Sequence, residues 1–181
     1  MSETHGLKAI IAGCKSGDSE SFSRLLDLYA DKCYGYFYRM TGNRDISDEL
    51  LSELFAKLVT KIRTYKGEGF DGWLFKVTGN VFFDYLRSKY RDKKLIEAGA
   101  ELAEMQLKEA GIKEDERVDD VQKQLAKLDD DTRELIMLRF YSGLSFKDIG
   151  EMRGQPVGTI LSKVHRGLKK LRELMGGQEN D

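Results

Sequence analysis

Apolar residues in this chain recur at steps of three and four rather than two, and only Pro156 removes a backbone donor. The spacing predicts helices near 5–14, 19–41, 45–65 and 72–91, then, past a gap, near 119–128, 130–141, 145–153 and 156–175. No alternating run competes, so the expected fold class is all-α. The gap, 93–120, is rich in Glu, Ala, Lys and Asp and has no aromatic residue, so it offers a core little to bury. It reads as an acidic linker, the other reading being a solvated helix packed on one domain. The chain is thus expected to form two small helical domains, 1–92 and 121–181, joined through 93–120.

The C-terminal pattern is punctuated by helix signals. Asp129, Asp130 and Asp131 precede Leu135, Ile136, Leu138 and Tyr141, placing acids where a helix N-terminus favours them. Gly143 supplies a stop. Ser145 with Asp148 three residues on resembles a capping box opening a short helix to Arg153. Gly154 turns the chain again and Pro156 starts the last helix, where Ile160, Val164, Leu168 and Leu171 form the expected buried stripe. Gly158, Thr159, Ser162, Lys163 and Arg166 cluster opposite, with no acid between Thr159 and Arg172. Small residues, hydroxyls and cations in that order suit a duplex groove. A solvated basic face is the bland alternative, and the helix, glycine turn, helix spacing weighs against it. His165 is read as a surface or phosphate-neighbouring group rather than a ligand.

In the N-terminal pattern, Leu51, Leu54, Phe55, Leu58 and Ile62 share one face, while Glu49, Ser52, Glu53 and Ala56 fall on the other. An acidic stripe beside Leu50 either docks a basic partner or merely keeps the helix solvated. Next come Tyr65, Lys66, Gly67, Glu68, Gly69, Phe70, Asp71, Gly72 and Trp73, a loop whose glycines let backbone approach a ligand and whose aromatics either hold a base or plug the core. Along the following helix Leu74, Val77, Val81 and Tyr85 point inward. Lys76, Asn80, Phe83, Arg87 and Arg91 recur on the outside, a mixture of cations, amide and aromatic suited to splayed single-stranded bases. Phe83 could instead belong to a second helix contact.

Charge and composition narrow the chemistry. The net charge of −1 provides no global field for nucleic acid, so DNA contacts must be local. Residues 1–92 carry 14 basic and 13 acidic side chains, 93–120 carry 5 and 9, and 121–181 carry 11 and 9. Cys14 and Cys33 lie far from both histidines, so reduced, buried thiols are expected rather than a metal site or disulfide. No ordered Ser/His/Asp set or phosphate loop is present, and neither enzymatic activity nor a cofactor is expected. The N-terminus lacks a signal-peptide layout and no apolar run is long enough to span a membrane, so the expected location is cytoplasmic.

Three stretches together resemble the extracytoplasmic-function group of bacterial sigma factors: Asp48 to Leu58; Gly67 to Phe70 with Trp73 to Val77 and Asn80 to Arg87; and Leu144 to Ile149 with Pro156 to Ile160. The resemblance covers nearly the whole chain apart from the linker. It implies that Asp48, Glu49, Ser52, Glu53 and Ala56 meet the clamp helices of the largest subunit of core RNA polymerase, with the flap as a further contact. It implies that Lys66, Gly67, Gly69, Lys76, Asn80, Phe83, Arg87 and Arg91 serve the minus-ten element, and Gly158, Thr159, Ser162, Lys163 and Arg166 the minus-thirty-five element. The linker would thread the polymerase channel, the holoenzyme would associate with the nucleoid, and an anti-sigma partner is admitted. Several positions depart from the family's usual residues: Ser52 stands for Gln, Gly79 for a basic residue, Arg153 and Gln155 for apolar ones, and Leu161 for Lys or Arg. A stand-alone helix-turn-helix regulator is the competing reading, and it would need no acidic docking helix.

Overall fold

The computed structural model describes residues 2–67, 69–99 and 120–176, and every regular element among them is helical. The order is α1 (Ser2–Ser16), α2 (Ser19–Thr41), α3 (Arg44–Lys61), α4 (Phe70–Gly99), α5 (Asp120–Leu125), α6 (Asp130–Ile136), α7 (Phe146–Arg153) and α8 (Val157–Leu174). A short 3-10 turn, Ile62–Thr64, closes α3, and α6 continues as a π-helical turn over Met137–Tyr141. None of these helices is long and apolar enough to cross a membrane.

Helix ends follow from local chemistry. The Asp18 carboxylate accepts from Ser21 N at 2.8 Å to start α2, and the Asn43 side chain accepts from Ile46 N at 3.0 Å to start α3. Before α7 the expected capping box is formed: Ser145 Oγ accepts from Asp148 N at 3.1 Å and Asp148 accepts from Ser145 N at 3.0 Å. The Ser145 hydroxyl, which also donates to the Asp148 carboxylate, and then the Ser145 backbone N–H hold that carboxyl below its ordinary range. Gly154 has φ 62° and ends α7 in the left-handed conformation a side chain disfavours, which makes the turn between α7 and α8 short.

In the N-terminal body α1 packs on α2, α2 on α3 and α3 on α4. Leu25, Tyr29, Cys33, Tyr36, Phe37 and Met40 line the buried side of α2, and both cysteines are buried free thiols. Burial pushes the Cys33 thiol up to about 12, which leaves it inert. In the C-terminal body α6 and α7 both pack on α8. The two bodies also touch, chiefly through α4 against α7 and α2 against α5 and α6, so one continuous set of buried side chains runs through both.

Three faces differ from the pattern-based expectation. Leu50 is buried beside Ser47, Leu54 and Leu58 rather than flanking the acidic stripe, whereas Leu51 and Phe55 sit half-buried at its margin. On α8, Gly167 is buried and Leu168 is 38% exposed, because α6 approaches so closely that a Cβ on Gly167 would lie 2.4 Å from Thr132 Cγ2. The stripe is therefore Ile160, Val164, Gly167 and, half-buried, Leu171. Finally, α4 continues to Gly99 rather than stopping near Arg91, since Lys93 to Ala98 contains only residues compatible with a helix. Residues 100–119 of the expected linker, and Glu68 of the loop, lie outside the described residues.

Candidate nucleic-acid interface

On α3 the side chains Asp48, Glu49, Ser52, Glu53 and Ala56 are all exposed and share one face, as their spacing requires. Ser52 Oγ turns back to donate to Asp48 O at 2.9 Å. Glu53 pairs with Lys57 at 2.6 Å, Lys57 reaches Asp84 of α4 at 3.2 Å, and Asp84 pairs with Arg87. The hydrogen bond to Glu53 is the main reason the Lys57 ammonium is held above its ordinary value. This chain of charges joins the candidate docking face to the candidate DNA face. Solvent exposure limits each link to about 0.2–1 kcal/mol.

The loop before α4 has both of its described glycines at positive φ, 106° at Gly67 and 63° at Gly69, with Lys66 exposed beside them. Tyr65 and Phe70 are buried and meet edge-on at 5.2 Å; Phe70 also contacts Tyr29 at 5.4 Å and Trp73 at 5.6 Å. Phe70 therefore plugs the core, while Trp73 stays half-buried at the surface. Lys15 of α1 donates to Tyr65 O at 2.5 Å, and a hollow of about 470 Å³ opens between Leu7, Ile11, Lys15 and the glycines. The participation of α1 in this loop was not foreseen; Lys15 gave no signal beyond being basic.

Along α4, Leu74, Val77 and Val81 are buried, Tyr85 is half-buried, and Lys76, Asn80, Arg87 and Arg91 are exposed on the expected side. Phe83 differs. It is half-buried, edge-on to Phe82 at 5.6 Å and covered by the Arg153 guanidinium at 5.4 Å from its ring centre. The second-contact reading of Phe83 holds in this conformation.

On α8 the residues Gly158, Thr159, Ser162 and Arg166 are exposed. Ser162 Oγ donates to Gly158 O at 2.8 Å and Arg166 Nε to Ser162 O at 3.3 Å, so both lie along the helix. Lys163 is half-buried because it donates to Asp131 of α6 at 2.7 Å.

The junction between the bodies brings together residues that pattern reading did not assign to any site. Glu134 of α6 is almost fully buried, accepts from Tyr36 Oη at 3.0 Å and pairs with Arg153, which also pairs with Asp131. Burial outweighs the attraction of Arg153 and raises the Glu134 carboxyl to about 7. Arg133 donates to Met40 O at 2.7 Å as well as to Leu125 O at 2.9 Å, and Gln122 donates to Tyr38 O and Arg39 O at 3.0 Å each. Gly79 lies under Glu134: a Cβ there would sit 2.5 Å from Glu134 Oε1. Gly79 and Arg153, two departures from the family pattern, thus meet at one carboxylate. A signal was available, since Glu134 falls four residues before Leu138, on the same buried side of its helix.

Comparison with known proteins gives matches in the same order. Residues 25–92 match the family described as Sigma-70 region 2, and residues 124–173 match Sigma-70, region 4. The ECF RNA polymerase sigma factor SigW of Bacillus subtilis is 32% identical over 180 residues, covering 92% of this chain and 95% of that protein. SigE of Mycolicibacterium smegmatis is 29% identical, covering 89% of this chain and 64% of its own length. Among solved structures, RpoE of Bartonella quintana, in complex with the anti-sigma factor NepR, superposes with TM-score 0.71 at 24% identity, covering 88% of this chain and 99% of that one. CnrH, in complex with the cytosolic domain of CnrY, gives TM-score 0.67 at 19% identity over 94% and 97%. With two regions in register and a relative matching end to end, the chain belongs to the extracytoplasmic-function group of the sigma-70 family.

Proposed function

We propose that this protein is an alternative sigma factor, which binds core RNA polymerase and directs it to particular promoters. The carrying observation is the co-occurrence, in one chain and in family order, of an exposed acidic face on α3, a glycine loop leading into the cation and amide face of α4, and a capped helix-turn-helix ending in α8, which has no acid between Thr159 and Arg172. In this reading Asp48, Glu49, Ser52, Glu53 and Ala56 meet the clamp helices of the largest subunit, and the C-terminal body meets the flap. Lys66, Gly67, Gly69, Lys76, Asn80, Phe83, Arg87 and Arg91 hold the opened minus-ten element, and Gly158, Thr159, Ser162, Lys163 and Arg166 read the minus-thirty-five duplex. Residues 1–92 and 121–181 are the two working domains. The work is binding, without bond chemistry or cofactor, and takes place with polymerase in the cytoplasm, on the nucleoid once holoenzyme forms. An anti-sigma factor is a fitting antagonist, as the similar RpoE was captured with the anti-sigma factor NepR.

The test is reconstitution. Adding the protein to core polymerase with genomic fragments should yield discrete run-off transcripts. Replacing Glu49→Lys together with Glu53→Lys should weaken core capture while helicity is retained. Absence of specific transcripts would refute the assignment, and undiminished core affinity in the double variant would remove α3 as the docking face. A regulator acting without polymerase is not favoured, since residues 25–92 match a sigma region.

A further inference from the structure

We propose that Lys15 of α1 is a positioning residue for promoter opening, a role that rests on the sigma-factor reading: its ammonium, bonded to the Tyr65 carbonyl, holds the glycine loop in the shape that receives an unpaired base.

The placement of Lys15 is decided by its neighbours. Ile11 and Cys14 are buried, and a Cβ on Gly13 would sit 2.0 Å from Ser21 Oγ, so the end of α1 lies directly against the start of α2. Gly17, at φ 88°, and the Asp18 cap then turn the chain from one helix into the other. One position beyond Cys14, side chain 15 emerges at the rim of the core, where α1 packs on the 3-10 turn that closes α3. There Lys15 is half-buried, donates to Tyr65 O at 2.5 Å and lies 5.3 Å from the centre of the Tyr65 ring.

The loop it touches is held at its ends and open in its middle. At the first end Tyr65 N donates to Ile62 O at 3.2 Å, and Tyr65 O accepts from Lys15. At the other, Trp73 N donates to Gly69 O at 3.1 Å and Asp71 pairs with Lys32 of α2 at 3.4 Å. Between them Gly67 and Gly69 are exposed, and nothing lies within 4 Å of where a Cβ on either would be. Glycines give such a segment many backbone states, so its shape has to be imposed from outside. A hydrogen bond from an ammonium is among the stronger ways of imposing it. Tyr65 passes the constraint on, since its ring meets Phe70 at 5.2 Å and Trp73 at 5.4 Å, both in the first turn of α4.

The same geometry separates this role from that of a lysine meant for phosphate. The Lys15 ammonium is committed to a carbonyl, whereas Lys8, which lines the same hollow of about 470 Å³, is exposed. Lys15 also precedes residues 25–92, the stretch matched to region 2, so the shape of the loop depends on an element outside that stretch.

The test uses holoenzyme reconstituted with wild type, with Lys15→Met, which keeps an apolar stem and removes the donor, and with Lys8→Met, which removes a cation from the same hollow. Lys15→Met should slow open-complex formation on duplex promoters about 10-fold, the scale of one hydrogen bond to a charged group. Templates with a pre-melted minus-ten bubble should be much less affected, and Lys8→Met should match wild type on both. In the free protein, Trp73, the only tryptophan, should become more accessible to acrylamide in Lys15→Met. The salt dependence of promoter binding should keep its slope, because no phosphate contact is lost. Adding Gly67→Ala, which strains the same loop, should cost less in the Lys15→Met background than in wild type. A wild-type opening rate in Lys15→Met, an equal loss on duplex and bubble templates, unchanged Trp73 quenching or fully additive losses would overturn the proposal. An equal loss in Lys8→Met, or a salt slope shallower by about one, would overturn it by making Lys15 a cation for DNA. Wild-type holoenzyme that gives no specific transcript would instead refute the sigma assignment itself.

Discussion

The two bodies solve the same packing problem with different materials. Every buried aromatic among the described residues lies in the N-terminal body, Tyr29, Tyr36, Phe37, Tyr65, Phe70, Phe75 and Phe82, whereas the C-terminal core is aliphatic, built on Leu125, Leu135, Leu138, Ile149, Ile160 and Val164. Among the described residues the N-terminal body buries hydroxyls, those of Ser47, Thr78 and Tyr36, and no charged side chain, while the C-terminal one buries Arg133 and Glu134. Large rings supply most of their contact area without polar partners. A small body lacking them borrows partners, and here it takes Tyr36 Oη and the Met40 carbonyl from its neighbour. The contrast extends to the faces proposed for DNA: rings and an amide beside a glycine loop on one, hydroxyls and cations on a slim helix on the other.

The sharpest way to break that contrast is at α4. Asn80→Ala or Phe83→Ala should reduce transcription from duplex promoters by about 10- to 100-fold, since stacking is worth about 1–3 kcal/mol per base, yet leave templates with a pre-melted minus-ten bubble much less affected. Permanganate reactivity of unpaired thymines reads the melting step, and normal reactivity in both variants would make this face structural. A smaller loss is expected at α8. Lys163→Ala and Arg166→Ala should weaken upstream duplex binding by up to about 1–3 kcal/mol where a base is touched, and with a shallower salt dependence where the contact is to phosphate. Lys163 must first leave Asp131, so its effect should be the lesser of the two.

The smallest effect concerns the border between the bodies. Glu134, faced by Arg153 from α7, Tyr36 from α2 and Asp131 from its own helix, has its carboxyl raised to about 7 when closed, and opening returns it to water and its ordinary 4.5. The closed state therefore binds the extra proton. Closure should be fully supported below the ordinary value and weaken as pH rises through about 7. Energy transfer between a donor and an acceptor on the two bodies, at Thr60→Cys and Arg172→Cys, should fall with pH between 4.5 and about 7 in wild type, level off above that, and stay flat in Glu134→Gln. A rise would reverse the sign and identify the ion pair, rather than burial, as dominant.

Much of the architecture was legible beforehand because helices announce themselves by period and cap. The Ser145 to Asp148 box, the Gly154 turn and the exposed set on α3 all follow from spacing that local geometry alone decides. What could not be read was whatever one body does to the other. Phe83 looks free and Gly79 looks like a weak point in a DNA-facing helix until Arg153 and Glu134 are brought to them over a long sequence separation. Period places Leu168 in the core for the same reason: it cannot distinguish a leucine from the glycine beside it when close helix approach favours the glycine.

Because both faces of the junction belong to one polypeptide, closure is a unimolecular event. The faces meet at an effective concentration on the order of millimolar, which the cellular amount of the protein does not alter. Doubling the copy number doubles the number of open molecules without changing their fraction, so the protein cannot titrate itself into activity. Any threshold in the response must come from a competitor for one of the faces, whether polymerase claiming the open form or an antagonist sealing the closed one.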